Sequence, residues 1–257
     1  MTYIEYEVND RIGYITLNRP EKRNALNFDV VTELKEAFTL AEADEGVTII
    51  ILRAKGQTFC AGADLEYLQQ LQQFSFEQNL ADSMHLKELF QQIYLLKKVV
   101  IAQVQGHALA GGCGLATVCD FVFSAPEAKF GYTEVRIGFI PAIVMVFLLR
   151  KIGEGSAKQL LLSGSWVTAP EAKAMGLING IVSKERLADE VRIYASQLIE
   201  CNSGYSMSLT KQMIAKSQSL TLDEALDFAA EMNAKARGSE DCKKGIEAFL
   251  NGKKQRW

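Results

Sequence analysis

The sequence predicts an α/β fold with a helical carboxyl-terminal third. Two continuous apolar runs of strand length, at residues 47–52 and 99–104, indicate strands that are buried on both faces. Segments with helical periodicity lie between and around these strands, and such alternation favours largely parallel pairing. Beyond Pro141 the patterns are helical throughout, so we expect no further strand in that part of the chain.

The amino-terminal half of the chain alternates between strand and helix patterns. The predicted elements are strands at 3–8 and 12–17, a helix at 28–43, a strand at 47–52, a loop at 54–64 and a helix at 65–71. The first two strands are rich in β-branched and aromatic residues and flank Asn9-Asp10, which predicts a β-hairpin. The helices follow from apolar residues that recur every three or four positions.

Three capping boxes mark later helix starts. Ser75 with Gln78 opens a helix that runs to about residue 96, and the pairs Thr168 with Glu171 and Thr221 with Glu224 have the same spacing. The last of these helices has a single apolar stripe. The stripe consists of Leu222, Ala225, Leu226, Ala229 and Met232.

Composition and charge exclude several classes of protein. The chain has 257 residues, of which 48% are hydrophobic and 23% charged, and these fractions are ordinary for a globular protein. A net charge of -3 argues against nucleic-acid binding, which usually requires a basic domain. The first ten residues lack the apolar core of a signal peptide, and the apolar window at 137–149 is too short to span a bilayer. We therefore expect a cytoplasmic protein that binds neither nucleic acid nor a membrane.

The cysteines are odd in number and scattered. They are Cys60, Cys113, Cys119, Cys201 and Cys242. None has a CxxC or Cys/His spacing, so we expect buried free thiols, with neither a disulfide framework nor a metal site.

Two glycine-containing loops follow buried strands and are the candidates for chemistry. One spans residues 56–64, and the other contains Gly106, Gly111, Gly112 and Gly114. Because the carboxyl ends of parallel strands meet at one edge of a sheet, the two loops are expected to lie together. A strand that ends in glycines and restarts as a helix directs free N–H groups at one place, which favours negative charge.

Three longer motifs make the chain resemble the enoyl-CoA hydratase/isomerase (crotonase) family. They are FCAGADL at 59–65, QGHALAGGCGLA at 105–116 and AKFGYTE at 128–134. Weaker signatures of the family match NRP at 18–20, NAL at 24–26, APEA at 169–172 and MGLI at 175–178. The resemblance implies the crotonase (ClpP-like) spiral of repeated ββα turns over residues 1–200. It also implies a helical region at 201–257 that mediates trimerisation, with a homotrimer or a dimer of trimers as the assembly.

The resemblance also implies the roles of three residues. The backbone N–H groups of Ala63 and Gly111 would form an oxyanion hole for the thioester oxygen of an acyl-CoA. Glu134 would be the catalytic acid and base, and we predict that burial raises its pKa. From the residues alone, Glu134 could instead form a polar surface pair with Arg136.

The chain departs from the usual family pattern at two places. Hydratases of the family usually carry two glutamates, and this chain has Gly114 where the first should stand. The segment after Pro141 is also apolar, where most members have glycines. Both departures resemble bacterial 3-methylglutaconyl-CoA hydratases of leucine degradation, and hydration of an enoyl-CoA is the predicted reaction. A Δ3,Δ2-enoyl-CoA isomerase with Glu134 as proton shuttle, and a catalytically silent acyl-CoA-binding or RNA-binding relative, are the alternatives.

Further site residues are implied by position in the motifs. The substrate-binding candidates are Ala25, Ala61, Gly62, Asp64, Leu65, Tyr67, Tyr132, Arg136 and Ala142. The candidates for the CoA portion are Lys22, Arg23, Phe249 and Lys253, the last two reaching a neighbouring subunit. No metal and no separate cofactor are expected, because coenzyme A is part of the substrate.

Overall fold

The computed structural model describes residues 1–257 as nine strands, ten α-helices and two short 3-10 helices. The strands are β1 (Ile4–Asn9), β2 (Ile12–Leu17), β3 (Ile49–Ala54), β4 (Val99–Val104), β5 (Ala108–Leu109), β6 (Phe121–Ser124), β7 (Lys129–Gly131), β8 (Trp166–Thr168) and β9 (Gly180–Ile181). The helices are α1 (Phe28–Ala43), α2 (Leu65–Leu71), α3 (Phe76–Leu95), α4 (Gly111–Val118), α5 (Ala142–Ser163), α6 (Ala169–Ala174), α7 (Leu187–Cys201), α8 (Gly204–Ser217), α9 (Leu222–Arg237) and α10 (Glu240–Leu250). The 3-10 helices are Pro20–Lys22 and Glu134–Ile137.

The larger sheet has six strands in the order β1-β2-β3-β4-β6-β9. The predicted hairpin is confirmed, because β1 pairs antiparallel with β2 around a two-residue turn in which Asp10 and Arg11 have φ of 50° and 65°. Positive φ at both central residues matches the right-handed twist of the flanking strands. All other pairings in this sheet are parallel, as the alternation of strands and helices predicted.

The apolar strands are buried because the sheet is covered on both faces. In β3, Ile50 and Leu52 belong to a core cluster of 42 residues, and Ile49 and Ile51 belong to a second cluster of 11 on the opposite face. Helix α7 covers that second face with the apolar residues of one stripe. Successive side chains of a strand point to opposite faces, so a doubly covered strand must be apolar at every position.

A smaller sheet contains β5, β7 and β8 and corrects one expectation. The part of the chain beyond Pro141 is not wholly helical, because β8 and β9 lie there. These strands have three and two residues, which is too short to produce a periodic pattern. Each is defined by pairing with a distant partner, β8 with β7 and β9 with β6. No helix combines the length and apolarity that crossing a membrane requires.

The cysteines are all free, and three are buried as predicted. Cys201 and Cys242 correct that expectation: Cys201 is exposed at the last residue of α7, opposite the stripe that the helix buries, and Cys242 is only half-buried on α10. All three predicted capping boxes are present, at the starts of α3, α6 and α9.

Of the last three helices, only α8 has buried residues. Helix α8 contains Lys211, which is 8% exposed and donates from Nζ to the carbonyl oxygens of Ile93 (3.2 Å) and Lys98 (2.9 Å). The same ammonium lies 2.7 Å from Oδ2 of Asp120, which also accepts the N–H of Val100 at 2.7 Å. Helices α9 and α10 have no buried residue in the single chain.

We predict that Lys211→Met lowers the free energy of unfolding by about 3–5 kcal/mol, because it leaves Asp120 without its cation in a largely enclosed site. Urea unfolding followed by circular dichroism measures the change. The matched control is Lys243→Met, since Lys243 pairs with Glu240 at 2.9 Å with both side chains more than 60% exposed. Removing that pair should leave the free energy of unfolding essentially unchanged, because solvent screens an exposed ion pair. Equal effects in the two variants would contradict the anchoring role of Lys211.

Candidate active site

The two glycine-containing loops are in direct backbone contact. The N–H of Leu109 donates to the carbonyl of Cys60 at 3.0 Å, and Cys60 forms a parallel bridge with Ala108. A β-carbon at Gly112 would lie 2.3 Å from the Cys60 carbonyl oxygen, and one at Gly62 would lie 2.8 Å from the β-carbon of Ala110. Neither position has room for a side chain. The glycines therefore allow the close approach of the loops.

Ala63 presents a free N–H beside this contact. Its neighbours pair with Leu26: the Leu26 N–H donates to the Gly62 carbonyl at 2.7 Å, and the Asp64 N–H donates to the Leu26 carbonyl at 2.8 Å. In such a parallel bridge the N–H of the middle residue points to the other side. The N–H of Ala63 has no acceptor within the chain.

Gly111 presents the second free N–H, at the first residue of α4. The first hydrogen bond of this helix runs from the Gly114 N–H to the Ala110 carbonyl, so the N–H of Gly111 has no acceptor in the chain. Ala110 has φ 49° and ψ -126°, a conformation that L-residues avoid. Such backbone strain costs about 1–3 kcal/mol, and here it turns the chain abruptly from β5 into α4.

Glu134 lies at the same edge of the small sheet as Gly111. Strands β5 and β7 are parallel, with Leu109 opposite Gly131, and the Ala110 N–H donates to the Gly131 carbonyl at 2.7 Å. Gly111 follows the end of β5 and Glu134 follows the end of β7, so both leave carboxyl ends of neighbouring strands. Burial raises the pKa of the thiol of Cys113, in the first turn of α4, to about 12, and the nearby charge of Glu134 adds to this shift.

The carboxyl group of Glu134 is buried and unpaired. The residue is 8% exposed, and its Oε2 atom has no hydrogen-bond partner. Burial raises the pKa of this carboxyl group, as predicted from the sequence. Arg136 is exposed and forms no ion pair with Glu134. The alternative of a surface pair between these two residues is therefore wrong. A buried carboxyl group with a raised pKa is suited to accept and return a proton.

Val144 fills the space next to Gly114. A β-carbon at Gly114 would lie 2.2 Å from Cγ1 of Val144, 2.8 Å from its Cβ and 3.1 Å from Cε1 of Phe90. Val144 belongs to the apolar segment after Pro141, in the first turn of α5. The two departures from the family pattern are thus one packing feature, since α5 occupies the volume that a side chain at position 114 would need.

Tyr132 corrects one predicted role. Its side chain is fully buried in the main core, and its hydroxyl lies 2.8 Å from Oγ1 of Thr117. A residue without exposed surface does not line an open acyl pocket, so its role here is packing. Burial raises the pKa of its hydroxyl well above the usual value.

Most of the other predicted substrate-binding residues adjoin Ala63, either in the chain or through the bridge between Leu26 and Ala63, whereas Arg136 and Ala142 are exposed, after β7 and at the start of α5. Ala25 and Asp64 are buried, the N–H of Ala61 donates to the Arg23 carbonyl at 3.1 Å, and Leu65 is 77% exposed at the start of α2. Tyr67 donates its hydroxyl hydrogen bond to Asp82 and lines a cavity of about 640 Å³ between α1, α2 and α3. Ala63, Gly111 and Glu134 are not among the residues that line it.

The predicted CoA-binding residues fall into two separate groups. Lys22 lies beside the site loop and pairs with Glu66 at 2.5 Å. Phe249 is 82% exposed on α10, and Lys253 follows that helix. Nothing in the single chain brings the second group to Lys22. No group of three or more His, Cys, Asp or Glu residues is arranged to bind a metal ion.

Sequence reasoning missed two neighbours of the site. The NRP motif contains Arg19 but does not indicate its partner, and in the structure Arg19 pairs with Asp64 at 2.6 Å between largely buried side chains. The sequence signal for this pair is that one motif of the site contains a cation, Arg19, and another contains an acid, Asp64. Val144 had no such signal, because its contact with Gly114 depends on how α5 packs against α4.

The geometry can be compared with known proteins. A family model described as enoyl-CoA hydratase/isomerase matches residues 7–257. The chain belongs to the enoyl-CoA hydratase/isomerase family. A Thermus thermophilus protein named provisionally as an enoyl-CoA hydratase is 39% identical over 96% of this chain and 97% of its own length. The crotonyl-CoA hydratase of Syntrophomonas wolfei is 34% identical over 96% of this chain and 95% of its own.

Solved structures agree with the sequence comparisons. The crystal structure of an enoyl-CoA hydratase from Mycobacterium smegmatis superposes with a TM-score of 0.93 at 28% identity, covering 99% of this chain and 98% of that one. The predicted crotonase fold, and an enzyme of the enoyl-CoA hydratase type, are therefore confirmed. The relatives carry general hydratase names, so the narrower likeness to 3-methylglutaconyl-CoA hydratases remains a proposal.

We predict that Gly114→Ala lowers the free energy of unfolding by about 1–3 kcal/mol, because the new methyl group overlaps Val144. Val144→Ala should cost roughly 2 kcal/mol through lost burial. The double variant should cost at least about 1 kcal/mol less than the sum of the two, because the shorter alanine side chain at position 144 relieves the overlap at position 114 and the methyl group added there fills part of the cavity left by Val144.

The control for this cycle is Gly155→Ala, also within a helix but with nothing within 4 Å of the added carbon. It should be neutral or stabilising by up to about 1 kcal/mol, from helix propensity. Strict additivity of the Gly114 and Val144 changes in urea unfolding would contradict the packing relation.

Proposed function

We propose that this protein is an enoyl-CoA hydratase that adds water across the α,β double bond of an acyl-CoA with a single carboxylate, Glu134. The observation that supports this most directly is that the N–H groups of Ala63 and Gly111 lack acceptors on two loops in backbone contact, while a buried and unpaired acid follows the strand next to β5. A thioester oxygen needs both hydrogen bonds when it gains enolate charge, and proton movement needs the acid.

In the proposed reaction the thioester oxygen accepts hydrogen bonds from Ala63 and Gly111. The carboxylate of Glu134 removes a proton from a water molecule as its oxygen bonds to Cβ, and the π electrons move to the thioester oxygen. The enolate then collapses, and Cα takes the proton that Glu134 carries, which regenerates the carboxylate. The positive end of α4 favours the enolate charge beside Gly111. Each N–H would contribute about 2.7–4 kcal/mol to the stability of the transition state.

An isomerase is the second candidate, and the absence of a carboxylate at position 114 favours it. In that reaction Glu134 takes a proton from Cα of a 3-enoyl-CoA and returns it to Cγ, and no water is needed. The same enolate and the same two N–H groups serve both reactions. Gly114 removes only an acid that would help to hold water, so it does not prevent hydration by Glu134.

The specific substrate that we propose is 3-methylglutaconyl-CoA, an intermediate of leucine degradation. Two features support it: the pairing of Gly114 with an apolar segment after Pro141, and the exposed, unpaired cation of Arg136 two residues from Glu134. An arginine in that place could bind the second carboxylate of this substrate.

We further propose that the CoA site is completed by a neighbouring copy of the chain. Leu222 and Leu226 of α9 and Phe249 of α10 are 60–82% exposed, and these helices bury no residue in the single chain. Two helices that expose large apolar side chains and bury none in the single chain are consistent with an interface. In a trimer, Phe249 and Lys253 of one copy would approach Lys22 and Arg23 of the next.

We predict that the protein removes the conjugated thioester absorbance of a 2-enoyl-CoA with uptake of water. Crotonyl-CoA, 3-methylglutaconyl-CoA and a 3-enoyl-CoA are the substrates to compare, with products identified by mass. An increase of conjugated absorbance from the 3-enoyl-CoA without water uptake would show isomerisation instead. Tight binding of acyl-CoA with no turnover of any substrate would show a silent binder.

We predict that Glu134→Gln lowers kcat by about 10²–10⁴, because it removes the acid and base while keeping the shape of the side chain. The raised pKa of Glu134 predicts that wild-type kcat/KM falls as pH decreases already above the usual range for a glutamate. It also predicts that the variant is more stable than wild type at neutral pH. The folded protein binds the Glu134 proton more tightly than the unfolded chain does. Wild-type stability therefore falls as pH rises from the usual pKa of a glutamate through the raised pKa of Glu134 in the folded state.

The control for this variant is Glu127→Gln, an exposed glutamate seven residues earlier in the chain. It should retain wild-type kcat and stability. Full activity in a folded Glu134→Gln variant would rule out the proposed mechanism.

A further inference from the structure

The ion pair between Arg19 and Asp64 is the most enclosed ion pair of the chain. Nη1 of Arg19 lies 2.6 Å from Oδ2 of Asp64, and the two side chains are 11% and 5% exposed. Asp64 directly follows Ala63, the proposed oxyanion donor. Placing two charges in such an enclosed position is expensive, and replacement of a pair like this by apolar residues is often neutral or stabilising. Stability alone is therefore a weak reason for its presence here.

Asp64 fixes the chain immediately after the Ala63 N–H. Its Oδ1 accepts the N–H of Glu66 at 2.9 Å and so caps the amino terminus of α2. Its own N–H donates to the Leu26 carbonyl at 2.8 Å, and its Oδ2 is held by Arg19. With these three contacts the peptide on the carboxyl side of Ala63 has little freedom to rotate.

Arg19 connects this peptide to the neighbouring loops. Its guanidinium also donates to the Ala25 carbonyl at 3.3 Å, and its backbone N–H donates to Oδ1 of Asn24 at 2.9 Å. The Asn24 amide in turn donates to the carbonyls of Lys55 (2.9 Å) and Thr58 (2.8 Å) at the base of the loop that contains Ala63.

The charges of the pair matter for the proposed reaction. A buried carboxylate next to the donor that holds an enolate would oppose the negative charge on the thioester oxygen. Burial by itself would raise the pKa of the Asp64 carboxyl, but the hydrogen bonds from Arg19 and from the Glu66 N–H outweigh it and hold the pKa below its usual value. Asp64 is therefore ionised at neutral pH, and Arg19 is the cation that compensates it.

We propose that Arg19 is a positioning residue for the oxyanion hole: it holds Asp64 so that the Ala63 N–H is correctly aimed, and it cancels the carboxylate charge beside the developing enolate. This inference rests on the proposed function, because it assigns Ala63 as a donor to the thioester oxygen. It adds a residue outside the set that contacts the substrate.

Two single variants with opposite residual charges test the inference. Arg19→Met leaves an unpaired carboxylate beside Ala63, and Asp64→Asn leaves an unpaired guanidinium while keeping the cap of α2. We expect Arg19→Met to lower kcat about 100-fold, similar to the loss of one oxyanion donor, with KM changed less than about threefold. Asp64→Asn should lower kcat less than about fivefold, because the remaining positive charge favours the enolate.

Thermal unfolding and kinetics are measured on the same preparations, with the enoyl-CoA that the wild type turns over fastest. The double variant Arg19→Met/Asp64→Asn removes both charges and should recover at least about tenfold of the kcat lost in Arg19→Met. If Arg19→Met does not fold, Arg19→Lys is measured instead. Lysine keeps the positive charge, so its kcat should lie within about tenfold of wild type. Arg53→Met, which breaks a pair with Glu7 on partly exposed side chains, is the control and should leave kcat unchanged.

The outcomes separate the inference from the proposed function. A wild-type protein that turns over no enoyl-CoA overturns the proposed function, and this inference with it. An active wild type in which Arg19→Met and Asp64→Asn lose kcat equally, in proportion to their lost stability, overturns the inference alone, because it makes the pair a structural clamp only.

Discussion

The candidate site depends on the contact between two loops that approach each other at backbone distance. At Gly112 and Gly62 a single added carbon would lie within 2.8 Å of the opposite loop, and at Gly106 it would lie 1.8 Å from the Gln57 carbonyl oxygen. Only chains without side chains at these points can pack so closely. In the proposed mechanism this contact lets the N–H groups of Ala63 and Gly111, which are 48 residues apart in the chain, donate to the same thioester oxygen.

The rest of the fold holds this contact in place. Strands β3 and β4 are parallel neighbours in the large sheet, so the loops that follow them leave from the same edge. The small sheet then adds β5 and β7 in parallel, which brings the segment that contains Glu134 alongside α4. The strained conformation of Ala110 is tolerated because the surrounding hydrogen bonds determine the path of the chain on both sides.

The packing of α4 against α5 explains why the site has a single acid. With Val144 in the space beside Gly114, a glutamate at that position would require α5 to move. The proposed mechanism accordingly assigns both proton transfers to Glu134. It also gives importance to the charges that surround the enolate, since no second carboxylate is available to assist. Stability alone is a weak reason for the buried pair of Arg19 and Asp64. Its effect on the charge beside the enolate gives it a role in the proposed reaction.

The sequence by itself determined the elements whose signals are local. Apolar periodicity located the main helices and strands, the capping boxes located three helix starts, and the motifs identified the family and the candidates Ala63, Gly111 and Glu134. Only the tertiary structure established that β8 and β9 are strands, that Tyr132 is core, and that Arg19 and Val144 adjoin the site. These features are defined by partners distant in the chain. A local pattern reports the preference of a segment for helix or strand and does not report which remote side chain will occupy the space beside it.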